Sequence, residues 1–147
     1  MTAIRQADAT WEGDLASGHG VVTAVTSGAF SVLPVTWASR TEASDGRTSP
    51  EELIAAAHAS CFCMALSAGL GKSGTPPDRL SVSARVTIDE VDGGFKVVSS
   101  ALTVKGRVPG IDEVGFAKAA DDAKDGCPVS QALKGNVELS VVAILEQ

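Results

Sequence analysis

Hydrophobic and polar positions alternate with a period of two in several stretches of this chain. The clearest runs from Leu80 to Val91, where Val82, Ala84, Val86 and Ile88 face one way and Ser83, Arg85, Thr87 and Asp89 the other. Asp92-Gly93-Gly94 follows as a hairpin turn, and Phe95 to Val108 returns as a second long strand. Val137, Leu139, Val141 and Ala143 alternate again, which predicts a last strand from Val137 to Leu145. Nearer the N-terminus, Gly20 to Thr26 and Phe30 to Val35 read as strands joined at Ser27-Gly28. Thr41 to Thr48, with Ser44-Asp45-Gly46 inside it, reads as a loop that contains a turn.

The helical stretches carry their own start signals. Ser49-Pro50-Glu51-Glu52 offers a hydroxyl to cap a free amide, a proline where a missing N–H costs nothing, and an acid to complete a capping box. The pattern predicts a helix from about Pro50 to Ala68, ending at Gly69 or Gly71. It is apolar almost all round after its first turn, so burial on most sides is expected. Ala55, Ala56, Ala57, Ala59 and Ser60 would let another helix pack very close. Asp112 to Lys124 predicts a second helix, and Gly126-Cys127-Pro128 opens a short third one that stops near Gly135. Segregated strands and helices with antiparallel hairpins indicate an α+β domain spanning residues 1–147.

Composition narrows the function classes. Hydrophobic residues make up 44% of the 147, enough for a core without disulfide support. The net charge is −6 and no cluster of lysine and arginine occurs, so neither nucleic acid nor an anionic membrane is an expected partner. No run of about 18 apolar residues is seen, and the first residues lack a signal-peptide pattern, so a cytoplasmic protein is expected. Three cysteines are too few and too odd for a secreted disulfide framework; in a reducing compartment a disulfide would be catalytic or sensory.

The thiols stand in contrasting settings. Cys61 lies within an apolar helix, where burial alone would raise its pKa, so it needs a nearby cation or donor to react. Otherwise it is core filling. Cys127 lies where a helix begins, and the free amides there favour a thiolate. Spacing and dipole do not decide which of the two attacks. Cys63 is about 200° round the helix from Cys61, on the opposite side, and reads as core. His58, three residues before Cys61 on nearly the same face, could tune the thiol, ligate a metal or pack. With Cys61 and Cys127 it makes three possible zinc ligands without a fourth, and neither zinc spacing pattern is present. His19, between glycines, reads as solvated.

Residues 49–62, which hold Ser49-Pro50-Glu51-Glu52 and His58-Ala59-Ser60-Cys61-Phe62, resemble the OsmC/Ohr family of thiol peroxidases. Gly126-Cys127-Pro128-Val129-Ser130 strengthens the likeness. Trp11-Glu12-Gly13-Asp14, Val91-Asp92-Gly93-Gly94-Phe95 and Val108-Pro109-Gly110-Ile111-Asp112 extend it over essentially the whole chain. His58 before Ala59-Ser60-Cys61 resembles the OsmC branch, where the other branch tends to carry Gly-Tyr. The resemblance implies antiparallel sheets around a long buried central helix in an intertwined homodimer. It implies Cys61 as the peroxidatic cysteine, Cys127 as the resolving one, Arg40 as the active-site arginine and Glu51 as its partner. Arg47 is the rival for Arg40. It also implies organic hydroperoxides as substrates, a dithiol or lipoylated protein as reductant, and no cofactor. The chain departs from the family at Cys63, where relatives often have serine, and in having no tyrosine.

Such roles make chemical sense. A guanidinium keeps its charge and can hold a thiolate and steady a leaving oxygen, while a carboxylate orients its fork. Glu51 and Cys61, ten residues apart on one straight helix, are separated by about 15 Å of rise. A dimer in which Arg40 and Glu51 of one chain serve Cys61 of the other resolves this. The competing class is a redox-sensing or small-molecule-binding domain on the same fold, which would oxidise once without turnover; a zinc-stabilised structural protein is a third.

Overall fold

A computed structural model describes residues 1–147, which divide into two compact units, Met1–Leu53 and Ile54–Gln147. The first unit holds an antiparallel sheet in the order β1 (Ala7–Glu12), β2 (His19–Ala24), β3 (Leu33–Val35). Strand β1 was not anticipated. All six of its residues are exposed, so it carries no in-and-out alternation to read. Gly20 is required where β1 and β2 meet: a Cβ there would lie 2.5 Å from the Thr10 carbonyl oxygen and 2.9 Å from the Trp11 ring. His19 opens β2 rather than lying in a loop, with its Nε2 3.2 Å from the exposed Glu12 carboxylate.

A five-residue helix, α1 (Trp37–Thr41), precedes the expected loop, in a stretch for which the sequence predicted no element. Thr36 and Ser39 cap it reciprocally, each side chain bonding the other's backbone amide. The Ser39 hydroxyl also reaches the Thr48 carbonyl, and the Thr48 amide donates to the Pro34 carbonyl. These bonds pull the loop back onto α1. Asp45 and Gly46, both with positive φ, make its turn.

Helix α2 (Pro50–Lys72) starts as predicted, with the Ser49 hydroxyl accepting from the Glu52 amide at 3.1 Å. The Glu52 carboxylate, however, accepts from the Thr48 hydroxyl at 2.9 Å. The helix does not stop at Gly69 or Gly71. It ends where Gly74 adopts a left-handed φ of 81°. There the Gly74 amide bonds the Gly71 carbonyl and the Thr75 amide the Leu70 carbonyl, which is a Schellman cap. Leu70, buried between the two glycines, holds that last turn in place. Nor is α2 buried on most sides of this chain. One stripe at four-residue spacing, His58, Phe62, Leu66 and Leu70, is fully buried, while Ala56, Ala57, Ser60, Met64 and Ser67 are exposed. By length and composition α2 is apolar enough to cross a membrane, contrary to the expectation that no such stretch exists. Its many alanines raise its hydropathy without forming an unbroken run of large apolar residues.

The second unit builds its sheet in the order β4 (Arg79–Val91), β5 (Gly94–Arg107), β6 (Glu138–Leu145). The β4–β5 hairpin turns at Asp92 and Gly93, both with positive φ, as a type I′ turn requires. Strand β6 pairs parallel to β5, so the sheet is mixed and not antiparallel as expected. The reason is the connection: α3 (Glu113–Gly126) and α4 (Pro128–Leu133) intervene and carry the chain back along β5, so that β6 starts beside Ser99 and runs the same way. Asp112 caps α3 by accepting from the Gly115 amide. The core joins Phe62, Leu66 and Leu70 of α2 with Leu102 and Val104 of β5 and Phe116, Ala120 and Ala123 of α3.

Candidate active site

The proposed site residues fall into two pairs, each within one unit. In the first unit Arg40, at the end of α1, forks onto Glu51 in the first turn of α2. Its Nε lies 3.0 Å and 3.2 Å from the two carboxylate oxygens, and a terminal nitrogen lies 2.8 Å from Oε1. Glu51 is only 6% exposed, so its charge relies on this fork for compensation. The guanidinium carbon also sits 5.8 Å from the centre of the Trp37 ring, a cation–π distance. Trp11, Leu15, Trp37, Arg40 and Pro50 line a cleft of about 320 Å³, mostly apolar with one cationic wall. Arg47 is exposed and takes no part in the fork; Arg40 is the arginine that holds Glu51.

In the second unit Cys61 of α2 and Cys127, the N-cap of α4, interact directly through their side chains. Cys127 is fully buried and Cys61 partly so, and neither is in a disulfide. Their acidities differ. Burial, and then a hydrogen bond donated to the Cys127 sulfur, push the Cys61 thiol up, against a smaller pull from the Val129 amide. Burial also works against the Cys127 thiolate, but the donors around it win and bring its pKa down: Cys61, the amide and hydroxyl of Ser130, and the Val129 amide. The Cys127 sulfur closes no capping hydrogen bond on α4, so these amides act on it mainly as nearby dipoles.

Cys63 is half-buried and its thiol is pushed up by burial. It lines a separate cleft of about 520 Å³ with Met64, Asp78 and Arg79. No group of three or more His, Cys, Asp or Glu side chains is placed to hold a metal ion. His58 instead has both ring nitrogens within hydrogen-bond distance of buried serines, Ser100 of β5 and Ser130 of α4. The sequence reading missed both serines.

Comparison with known proteins decides the family. The model of the OsmC-like protein family matches residues 43–142, a span that holds Glu51, Cys61 and Cys127. The chain belongs to the OsmC family. Peroxiredoxin OsmC of Escherichia coli is 45% identical over 139 residues, 95% of this chain and 96% of that protein. An organic hydroperoxide resistance protein of Xanthomonas axonopodis pv. citri is 33% identical over 95 residues, covering 64% and 65% of the two chains. Among solved structures, OhrB of Bacillus subtilis aligns with a TM-score of 0.72 at 29% identity over 96% of this chain and 98% of its own. Within the wider OsmC/Ohr family the chain therefore sits on the OsmC branch. Arg40 lies just outside the span of the family match, whereas the likeness to the E. coli OsmC covers nearly the whole chain.

Proposed function

We propose that this OsmC protein is a cysteine-based peroxidase that reduces organic hydroperoxides to alcohols, with residues 1–147 acting as one domain. The observation that carries the reading is the direct interaction of Cys61 and Cys127, thiols 66 residues apart in the sequence. The Cys61 thiolate attacks one peroxide oxygen, an S–O bond forms and the O–O bond breaks. The alkoxide leaves and takes a proton to become the alcohol, and the Cys61 sulfur, oxidised by two electrons, becomes a sulfenic acid. Cys127 then displaces the sulfenic oxygen as water to give a Cys61–Cys127 disulfide. A dithiol, supplied as a free molecule or by a lipoylated partner protein, reduces it through a mixed disulfide.

Cys61 is the harder of the two thiols to ionise in the single chain, so it needs a cation. Arg40, oriented by Glu51, supplies it across a homodimer, from one protomer to the Cys61 of its partner. Three features support this: α2 is unbroken between Glu51 and Cys61, its small residues Ala56, Ala57 and Ser60 are exposed, and the Arg40–Glu51 pair is preformed. A second copy, rather than lipid, covers that apolar face, in keeping with a cytoplasmic protein.

The test is intact mass and peptide mapping after one equivalent of cumene hydroperoxide. The expected product has lost two hydrogens and contains a Cys61–Cys127 cross-link. Cys127→Ser should stop at a single-oxygen adduct on Cys61. Recovery of both thiols unchanged would overturn the proposal. Solution mass tests the dimer, and a fully active monomer would refute the shared site.

A further inference from the structure

Helix α2, strand β5 and helix α4 each send a polar side chain to one buried point that the peroxidase cycle leaves unused. His58 is fully buried; its Nδ1 lies 2.6 Å from Ser100 Oγ and its Nε2 2.7 Å from Ser130 Oγ. Ser100 and Ser130 are 0% and 1% exposed. Ser100 interrupts an inward row on β5 that continues with Leu102 and Val104. Such a cluster can be replaced by apolar groups of the same shape at little cost, so packing alone does not ask for three polar groups here. The position of Ser130 supplies a purpose: it stands in the first turn of α4, whose N-cap is the equally buried Cys127, and its hydroxyl helps to bring that thiol's pKa down.

A neutral imidazole offers one donor and one acceptor. Burial favours that neutral form by lowering the His58 pKa. With the proton on Nε2, the ring donates to Ser130 Oγ and accepts the Ser100 hydroxyl at Nδ1. Ser130, accepting from the ring, then has its own proton free to turn toward Cys127. In that tautomer Ser100 donates to His58 and His58 to Ser130, and a Ser130 proton turned toward Cys127 would end the series on sulfur. The groups acting on Cys127 are Cys61, Ser130 and the Val129 amide, while Lys124, Asp125 and Lys134 line a shallow cleft beside Ser130.

We propose that His58 is a positioning residue for the resolving step: through Ser130 it aims a hydroxyl proton at Cys127 and holds that sulfur as the anion that attacks the Cys61 sulfenic acid. The inference rests on the disulfide cycle proposed above. In that step the Cys127 electron pair forms the S–S bond and the S–O bond of the sulfenic acid breaks. The hydroxide takes up the proton that Cys127 gave up on ionising, so the product is water and no outside oxidant is needed.

Two measurements on the full-length protein test it. The first is the pH profile of Cys127 alkylation in a Cys61→Ser background. Ser130→Ala and His58→Leu should move the midpoint up by about one pH unit, a tenfold loss of thiolate near neutrality. Ser130→Thr keeps the hydroxyl, and His58→Gln keeps a donor and an acceptor; both should restore the profile. The second is single turnover with Cys61 present. Ser130→Ala should form sulfenic acid at the wild-type rate and convert it to disulfide about tenfold more slowly. An unchanged alkylation profile in Ser130→Ala would overturn the proposal, whether or not His58→Leu folds. Failure of the wild type to form any Cys61–Cys127 disulfide would instead strike the cycle, and the alkylation profile would still report on the relay.

Discussion

Cys61 and Cys127 act on each other's ionisation, yet their surroundings treat them differently. Cys127 gathers donors, whereas Cys61 gives a proton toward its neighbour and is held up by burial. The peroxidase rate should therefore rise with pH as Cys61 ionises, because only the thiolate attacks. Arg40→Met should move that rise to higher pH and lower kcat/KM at neutral pH by about 100-fold, a typical cost of losing one charge-stabilising donor. Stopped-flow peroxide consumption across pH checks both, and a rate insensitive to Arg40 would sink its assignment. Cys63, raised by burial and lining its own cleft, should be inert; Cys63→Ser should turn over at the wild-type rate in the same assay. The nearness of Cys61 to Cys127 and of Arg40 to Glu51 was expected from the family resemblance, and the residues alone did not give it. The places of Ser100 and Ser130 were expected on neither ground. They meet His58 across 42 and 72 residues, and serine carries no mark of burial in a sequence. The signals available were Ser130's place in the Gly126–Ser130 motif and Ser100 at an inward position of a strand whose next inward residues are leucine and valine.

Helices and strands were read well where two cues agreed and poorly where one was missing. The Asp92-Gly93 turn lay between two alternating runs, and β4 and β5 formed within a residue of expectation. The direction of β6 was invisible, since in-and-out alternation looks the same in a parallel and an antiparallel strand. Helix α1 spans only five residues, too short for helical periodicity to show. The end of α2 was misplaced because glycine is both a helix weakener and a cap, and only Gly74 takes the left-handed conformation. Gly74→Ala should thus cost about 1 kcal/mol, the strain of a left-handed alanine, with the cap's hydrogen bonds at risk. Gly106 of β5 has a different constraint: a Cβ there would lie 2.4 Å from the buried Phe116 ring. Gly106→Ala should cost about 1–3 kcal/mol by overpacking. Urea unfolding measures both, and an unchanged midpoint in Gly106→Ala would mean that α3 can yield.

Over the whole molecule, the buried histidine links stability to pH. His58 binds its proton less readily folded than unfolded. Its contribution is complete above the unfolded value of about 6.5 and is lost as pH falls toward the lower folded value. One such proton changes stability by at most about 1.4 kcal/mol per pH unit. Thermal unfolding at pH 8 and pH 5 should show that loss, and His58→Gln should flatten it. If Cys61 and Cys127 work as proposed, the 66 residues between them also matter before the protein is finished. A ribosome adds roughly 5–20 residues each second, so every new chain carries Cys61 without Cys127 for several seconds. In that interval a sulfenic acid at Cys61 has no resolving partner, and Cys63 faces the other side of the same helix. The nascent chain is therefore more open to irreversible oxidation than the mature enzyme, and translation under peroxide stress would lose a share of the very protein meant to relieve it.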